Sequence, residues 1–88
     1  MEKPLKKRVL DIISKHDPIR LISGGAPIDE YTPEAEVISK GLVKAKSLDE
    51  INTLVHRTFV DLFDNYLAGK KESYKRLSGD LFNLVNER

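Results

Sequence analysis

The sequence predicts an all-α protein, a compact four-helix array with one long ordered connection between its first and second helices. Apolar residues recur at helical spacing in four segments, and no segment shows the strict alternation of a half-buried strand. Signals that start or stop helices flank most of these segments. A chain of 88 residues can bury one core, so we expect a single helical domain over residues 1–88.

The first helix is predicted from about Pro4 to Lys15, because a proline suits a helix start, where its missing N–H has no partner in any case. The second is predicted to begin at Thr32-Pro33, an N-cap followed by proline, with Glu34 near the positive end of the helix dipole. Two endings stay open for this helix. Either Gly41 ends it in a left-handed conformation, or the helix continues to about residue 45 and Gly41 lets a neighbour approach closely.

The third helix has the clearest start, because Ser47 and Glu50 are spaced as a capping box. It is predicted to run to about Ala68, with Gly69 as its C-terminal cap. Its apolar residues cover more than half the circumference, so we expect a central helix contacted on more than one side. The face is predicted to comprise Leu48, Ile51, Leu54, Val55, Phe59, Leu62, Phe63 and Tyr66.

The fourth helix is predicted over about Glu72 to Asn86. Gly79 lies within it and lowers helix propensity by about 1 kcal/mol relative to alanine. Two explanations stay open. A neighbouring backbone passes close to Gly79, or the helix breaks near Ser78-Gly79-Asp80.

Composition excludes several classes of protein. Hydrophobic residues make up 40% and charged residues 33% of the chain, the net charge is +1, and there is no cysteine. These values are typical of a soluble globular domain and exclude a disulfide scaffold or a thiolate metal site. The chain has neither the apolar core of a signal peptide nor an apolar run of membrane-spanning length. We therefore expect a soluble cytoplasmic protein with no membrane partner.

The stretch from His16 to Pro33, which connects the first two helices, holds three of the four prolines and the Gly24-Gly25 pair. The glycines do not form a phosphate-binding loop, because no lysine followed by serine or threonine accompanies them. Asp17-Pro18 repeats the N-cap–proline signature and predicts a short helical turn through Ile22, with Arg20 pairing with a nearby carboxylate. Connections of this length are often functional.

Asp29, Glu30 and Glu34 gather three carboxylates at the start of the second helix. Calcium and magnesium prefer such oxygens, but the spacing matches no EF-hand, and acids at a helix N-terminus are favoured electrostatically. The pattern therefore favours capping over a metal site. Tyr31 is predicted to pack its ring on the core while its hydroxyl finds a hydrogen-bond partner.

His16 and His56 are the only histidines, and their spacing matches no helical metal site. His56 lies on the broad apolar sector of the third helix, so we expect a buried histidine satisfied by a backbone carbonyl or a carboxylate. The positive charges at the N-terminus are interpreted as a solvated face rather than a nucleic-acid site, because no aromatic residues are interleaved with them. They comprise Lys3, Lys6, Lys7 and Arg8.

Two segments carry a resemblance to a known family: Asp17-Pro18-Ile19, and Gly25-Ala26-Pro27-x-Asp29-Glu30-Tyr31-x-Pro33-Glu34. The chain resembles a small bacterial family catalogued as a domain of unknown function, mostly from spore-forming Gram-positive bacteria. The resemblance implies a short, all-helical cytoplasmic protein. It implies no activity, since no catalytic or binding residue is established for that family.

The leading functional hypothesis is a small non-enzymatic protein that acts through protein–protein interaction or regulation, with a toxin-immunity protein as a special case. The alternative is a small metal- or ligand-binding enzyme-like module built on the acidic-tyrosine loop. Nucleic-acid binding is the weakest alternative, and a homo-oligomer stays open. No catalytic residue, metal ligand or cofactor is predicted. The candidate binding residues are Asp17, Arg20, Asp29, Glu30, Tyr31 and His56.

Overall fold

The computed structural model describes residues 4–26 and 30–86. Within these ranges the chain is all-α and forms five α-helices and one 3₁₀-helix, where four helices were predicted. The α-helices are α1 (Leu5–His16), α2 (Thr32–Leu42), α3 (Leu48–Leu62), α4 (Asn65–Ala68) and α5 (Lys75–Asn86), and the 3₁₀-helix is Lys71–Tyr74. None of the helices in the described part of the chain has the length and apolar content needed to cross a bilayer.

Helix α3 is the central element, as predicted from its broad apolar sector. It packs against α2, α4, α5 and the 3₁₀-helix, while α1 packs against α2 and α5. Its start follows the predicted capping box: the Glu50 N–H donates to Ser47 Oγ at 3.2 Å, and the Glu50 carboxylate accepts from the Lys46 N–H at 3.2 Å.

The predicted third helix is wrong at its C-terminal end. Helix α3 stops at Leu62, and Phe63 leaves helical geometry with φ −119° and ψ −92°. Asp64 then begins α4, because its carboxylate accepts from the Leu67 N–H at 2.7 Å. A short acid can satisfy a free backbone N–H in this way and so compete with continuation of a helix. Gly69, which was predicted to cap the third helix, is instead the C-cap of α4, with φ 74°.

The second helix also starts differently from the prediction. Tyr31 is its N-cap and Thr32 its first residue. The prediction had Thr32 as the N-cap and Pro33 as the first residue, so the helix begins one residue earlier than predicted. The Asp17-Pro18 signature starts no helix. Instead Asp17 ends α1 in the left-handed conformation, with φ 48° and ψ 58°. The following residues form successive turns.

The structure resolves both questions that the glycines left open. Helix α2 continues past Gly41 but ends at Leu42, short of the predicted residue 45. A Cβ at Gly41 would lie 2.7 Å from both Leu54 methyl carbons, so this glycine permits a close approach of α3. At Gly79 both predicted explanations are wrong. Helix α5 is continuous, and beyond the adjacent residues and backbone of its own helix a Cβ at Gly79 would meet no heavy atom of the described residues within 4 Å.

These surroundings predict opposite effects for two glycine-to-alanine substitutions. We expect Gly79→Ala to stabilise the protein by about 1 kcal/mol, since alanine has the higher helix propensity and nothing obstructs its methyl group. We expect Gly41→Ala to destabilise it by about 1 kcal/mol, because an overpacking cost of about 1–3 kcal/mol exceeds the same gain. Urea unfolding of both variants measures the difference, and equal shifts would contradict the assigned role of Gly41.

Candidate functional site

Four hydrogen bonds converge on the carboxylate of Asp17 at the end of α1. Its Oδ1 accepts from the Tyr31 hydroxyl at 2.5 Å and from the Ile22 N–H at 3.0 Å. Its Oδ2 accepts from both the N–H and the hydroxyl of Ser23, at 2.9 and 2.6 Å. We call Asp17, Ile22, Ser23 and Tyr31 the Asp17 cluster. It ties the turn after α1 to the start of α2.

Tyr31 occupies the predicted environment. Its side chain is fully buried, and its ring packs edge-on against Phe59, with ring centroids 6.0 Å apart. Its hydroxyl donates to Asp17 and accepts from the Leu21 N–H at 3.3 Å. Burial raises the pKa of Tyr31 well above its usual range, and the hydrogen bond to the Asp17 carboxylate adds to the rise. The phenol therefore stays protonated and serves as a fixed donor.

Asp17 is held in its charged form. Desolvation by itself would raise the pKa of Asp17, but the hydrogen bonds from Ser23, Tyr31 and the backbone outweigh it and hold that pKa well below its usual range. A carboxylate that accepts several hydrogen bonds is stabilised as an anion. With these acceptor positions filled from within the fold, the cluster is suited to fixing the loop geometry.

Among the described residues, none of the other predicted site residues bonds to the Asp17 carboxylate. Arg20 is exposed with φ 59°, and no ion pair joins it to a carboxylate in residues 4–26 or 30–86, so the predicted pairing is absent there. Glu30 is exposed, and Asp29 lies outside the described residues. No group of three or more potential metal-ligating side chains occurs among the described residues.

His56 lies on the other side of the aromatic core. Its Nε2 is 2.9 Å from the Gly69 carbonyl oxygen, and its ring is tilted against that of Tyr74, with centroids 5.7 Å apart. The predicted backbone-carbonyl partner is therefore present, although the side chain is half-buried rather than buried. Ring contacts run from His56 through Tyr74 and Phe59 to Tyr31. Two aromatic rings therefore separate the candidate binding residues His56 and Tyr31.

The other histidine joins two helices. His16 Nε2, at the end of α1, lies 2.6 Å from the Asp80 carboxylate on α5. Both side chains are partly exposed. The contact links α1 to α5. The spacing of His16 in the sequence matches no metal site.

Glu34, which was predicted to lie near the positive end of the α2 dipole, is a buried acid. The residue is only 4% exposed, and its Oε1 has no hydrogen-bond partner among residues 4–26 and 30–86. Burial raises the pKa of Glu34; a hydrogen bond from its own backbone N–H opposes the rise, and the charge of Glu30 adds to it. A signal was available, since Glu34 lies three residues after Tyr31 and four before Ile38, which are both core residues of one helical face.

We expect Glu34→Gln to stabilise the protein at pH 7 by about 1–2 kcal/mol, because the folded state no longer holds a charge on an unpartnered buried oxygen. A raised pKa in the folded state means that wild-type stability falls as pH rises above the ordinary value of 4.5. The advantage of the variant should therefore be small below that pH and grow above it. Urea unfolding between pH 4 and 8 measures the difference.

Glu36→Gln is the matched control, since Glu36 is exposed on the same helix and pairs only weakly with Lys40, at 3.8 Å. We expect it to change stability by less than about 0.5 kcal/mol across this range. A pH-independent effect of Glu34→Gln would contradict the burial of its charge.

An exposed apolar surface lies where α3 ends and α4 begins. Tyr66 is 91% exposed, Leu67 54% and Leu62 44%. We call these three residues the corner patch. Leu62 and Tyr66 were predicted to face the core on one continuous helix. That prediction is wrong for both residues. The break at Phe63 and Asp64 redirects Tyr66, which follows it, whereas Leu62 is exposed at the last residue of α3, before the break.

The flanks of the corner patch are acidic. Asp61 and Asp64 are both exposed and lie within three residues of Leu62. Arg57 lies one turn before Asp61, but no ion pair joins them among the residues the structure describes. Tyrosine is among the residue types enriched at the energetic centres of protein interfaces, so the exposed Tyr66 is the most informative residue of the patch.

Comparison of the chain with protein-family models, with curated proteins and with solved structures found no match. The family resemblance noted from the sequence therefore stays a prediction. The fold and the surfaces described above are the basis for inferring a function.

Proposed function

We propose that this protein is a small non-enzymatic cytoplasmic binding module that acts by docking a protein partner on the corner patch. The observation that carries the proposal is the 91% exposure of Tyr66 beside the half-exposed Leu62 and Leu67. Isolated exposed apolar side chains are ordinary, but an exposed cluster with a polar rim is typical of an interaction site.

The charges beside the patch indicate the chemistry of the partner. Asp61 and Asp64 are exposed on either side of Leu62, so a docked surface must bring apolar groups to the centre and cations to the edge. We propose a partner segment with an apolar face and flanking lysines or arginines, such as an amphipathic helix. Charge complementarity of this kind raises the association rate and excludes acidic competitors.

The geometry of the Asp17 cluster supports the same class of function. The side chains of Asp17 and Tyr31 bond one another and the local backbone. The most chemically distinctive residues of the connection therefore hold the fold together and present a rigid framework. A rigid framework favours binding because little conformational entropy is lost on association.

The test is a photo-crosslinking experiment in the native host. A benzoylphenylalanine at position 66 replaces one aromatic ring by another, and the same residue at Val43, which is 71% exposed on a different element, is the matched control. We expect a specific protein adduct from position 66 and none from position 43. An adduct with a second copy of this chain, or the same adducts from both positions, would overturn the proposed partner.

Purified partner then provides the quantitative measurement. We expect Tyr66→Ala to weaken its affinity by roughly 30-fold, which corresponds to about 2 kcal/mol. We expect Val43→Ala to change it less than twofold. Asp61→Lys should slow association with a basic partner, whereas an unchanged association rate would contradict the proposed charge of the partner.

A further inference from the structure

A cavity of about 440 Å³ lies between α3 and α5, away from the corner patch. It is lined by Leu48, Asp49 and Asn52 of α3 and by Lys75 and Ser78 of α5. This volume falls in the range of small-molecule sites, which combine largely apolar walls with a few placed polar groups.

The deepest lining residues are polar and almost wholly removed from solvent. Ser78 is fully buried and Asn52 is 7% exposed. The Ser78 hydroxyl donates to Asn52 Oδ1 at 2.8 Å, which fixes the orientation of the amide. The Asn52 Nδ2 makes one long bond of 3.4 Å, to the carbonyl of Lys71. One amide hydrogen therefore has no partner among the described residues, and buried donors are normally satisfied.

The mouth of the cavity carries one uncompensated positive charge. The carboxylate of Asp49 is 3.5 Å from the ammonium of Lys71, which offsets its charge. Lys75 is exposed and forms no ion pair within the part of the chain that the structure describes. An anion entering the cavity therefore meets a free ammonium at the edge and an amide donor on the floor.

We propose that this cavity binds a small aliphatic carboxylate. The carboxylate group accepts from the Lys75 ammonium and from the Asn52 amide, while the hydrocarbon tail lies on the side chain of Leu48. Ser78 is a positioning residue, since its hydroxyl holds the Asn52 amide by Oδ1, while Nδ2 keeps one N–H beyond its bond to the Lys71 carbonyl. Charge-assisted hydrogen bonds to carboxylates are stronger than neutral ones, so the ligand's charge is part of its recognition.

Sodium hexanoate is the probe, with 1-hexanol and hexylammonium chloride as matched ligands of equal chain length. The readout is a titration of backbone and asparagine side-chain amide signals in two-dimensional NMR spectra. We expect saturable shifts with hexanoate at Leu48, Ser78 and the Asn52 side chain, and at least tenfold weaker binding of the other two. Equal binding of hexanol, or no saturable shift with hexanoate, would overturn the proposal.

A pair of lysine variants tests the site itself. We expect Lys75→Gln to weaken hexanoate binding roughly tenfold, as loss of one charge-assisted contact implies. Lys44→Gln removes the same charge from an exposed position outside the cavity and should change binding less than twofold. Similar losses in both variants would show that net charge alone attracts the anion. Both positions are exposed, so neither variant threatens the fold.

Discussion

Replacing Asp17 by alanine is expected to destabilise the protein by about 3–5 kcal/mol. The carboxylate accepts four hydrogen bonds, and hydrogen bonds to charged groups contribute about 1.5–3 kcal/mol each, less than additively within one cluster. Alanine also disfavours the left-handed conformation of residue 17, where φ is 48°. A loss of this size is a large part of the stability of a small domain.

Asp17→Asn separates charge from backbone conformation, because asparagine tolerates the left-handed region and retains one acceptor oxygen. We expect it to cost about 2 kcal/mol at pH 7, measured by urea unfolding. Asp61→Asn, at an exposed aspartate on α3, is the control and should change stability by less than about 0.5 kcal/mol.

The pH dependence of the Asp17 effect has a defined sign. Its hydrogen bonds lower the pKa of Asp17 in the folded state, so its contribution is fully present above the ordinary value of 3.8 and is lost as pH falls towards the folded-state value. The difference between wild type and Asp17→Asn should therefore shrink below about pH 4. A difference that is constant from pH 7 to pH 3 would show that the charge of Asp17 has no part in the cluster.

Replacing Phe59 by alanine is expected to cost about 3–5 kcal/mol, since it leaves a cavity where large side chains meet. Phe59 is fully buried, and its ring lies 5.2 Å from that of Tyr74 and 6.0 Å from those of Tyr31 and Phe63. Its loss also removes packing behind Tyr31, so we expect the near-ultraviolet circular dichroism of the tyrosines to weaken.

Phe59→Leu provides a second measurement if the alanine variant does not fold, with an expected cost below about 2 kcal/mol. Val43→Ala is the matched control, because Val43 is 71% exposed and surface truncations change stability by less than about 0.5 kcal/mol. Guanidinium unfolding of the three variants should show the largest loss of unfolding free energy for Phe59→Ala, a smaller loss for Phe59→Leu and the smallest for Val43→Ala. A smaller cost for the alanine than for the leucine variant would contradict the central position of Phe59.

Local chemistry explains which features of the fold were predictable. The capping box of Ser47 and Glu50 and the positive φ of Gly69 each depend on backbone within a few residues. The break at Phe63 depended on an equally local bond, from the Leu67 N–H to Asp64. It was missed because the apolar periodicity continues through this segment, and periodicity alone does not register an internal N-cap.

The candidate surfaces were less predictable than the helices. Burial of the Tyr31 ring and the need for a hydroxyl partner followed from the residue type, but the identity of that partner, Asp17, did not. The two are 14 positions apart, and their contact requires a left-handed residue at the end of α1. The cavity floor joins Asn52 to Ser78 across 26 positions, and no short-range pattern encodes that contact.

The sequence by itself determined that the described chain is helical and where most of its helices begin, because caps, prolines and apolar spacing act over one or two turns. Only the tertiary structure decided how its polar and aromatic groups are used. Glu34 is buried with its Oε1 unpartnered within the described part of the chain, and Tyr66 is exposed, since a side chain's environment depends on how whole helices rotate and pack. The proposed surfaces follow from that packing, in which a two-residue helix break, held by one hydrogen bond from the Leu67 N–H to Asp64, changes the direction of the chain.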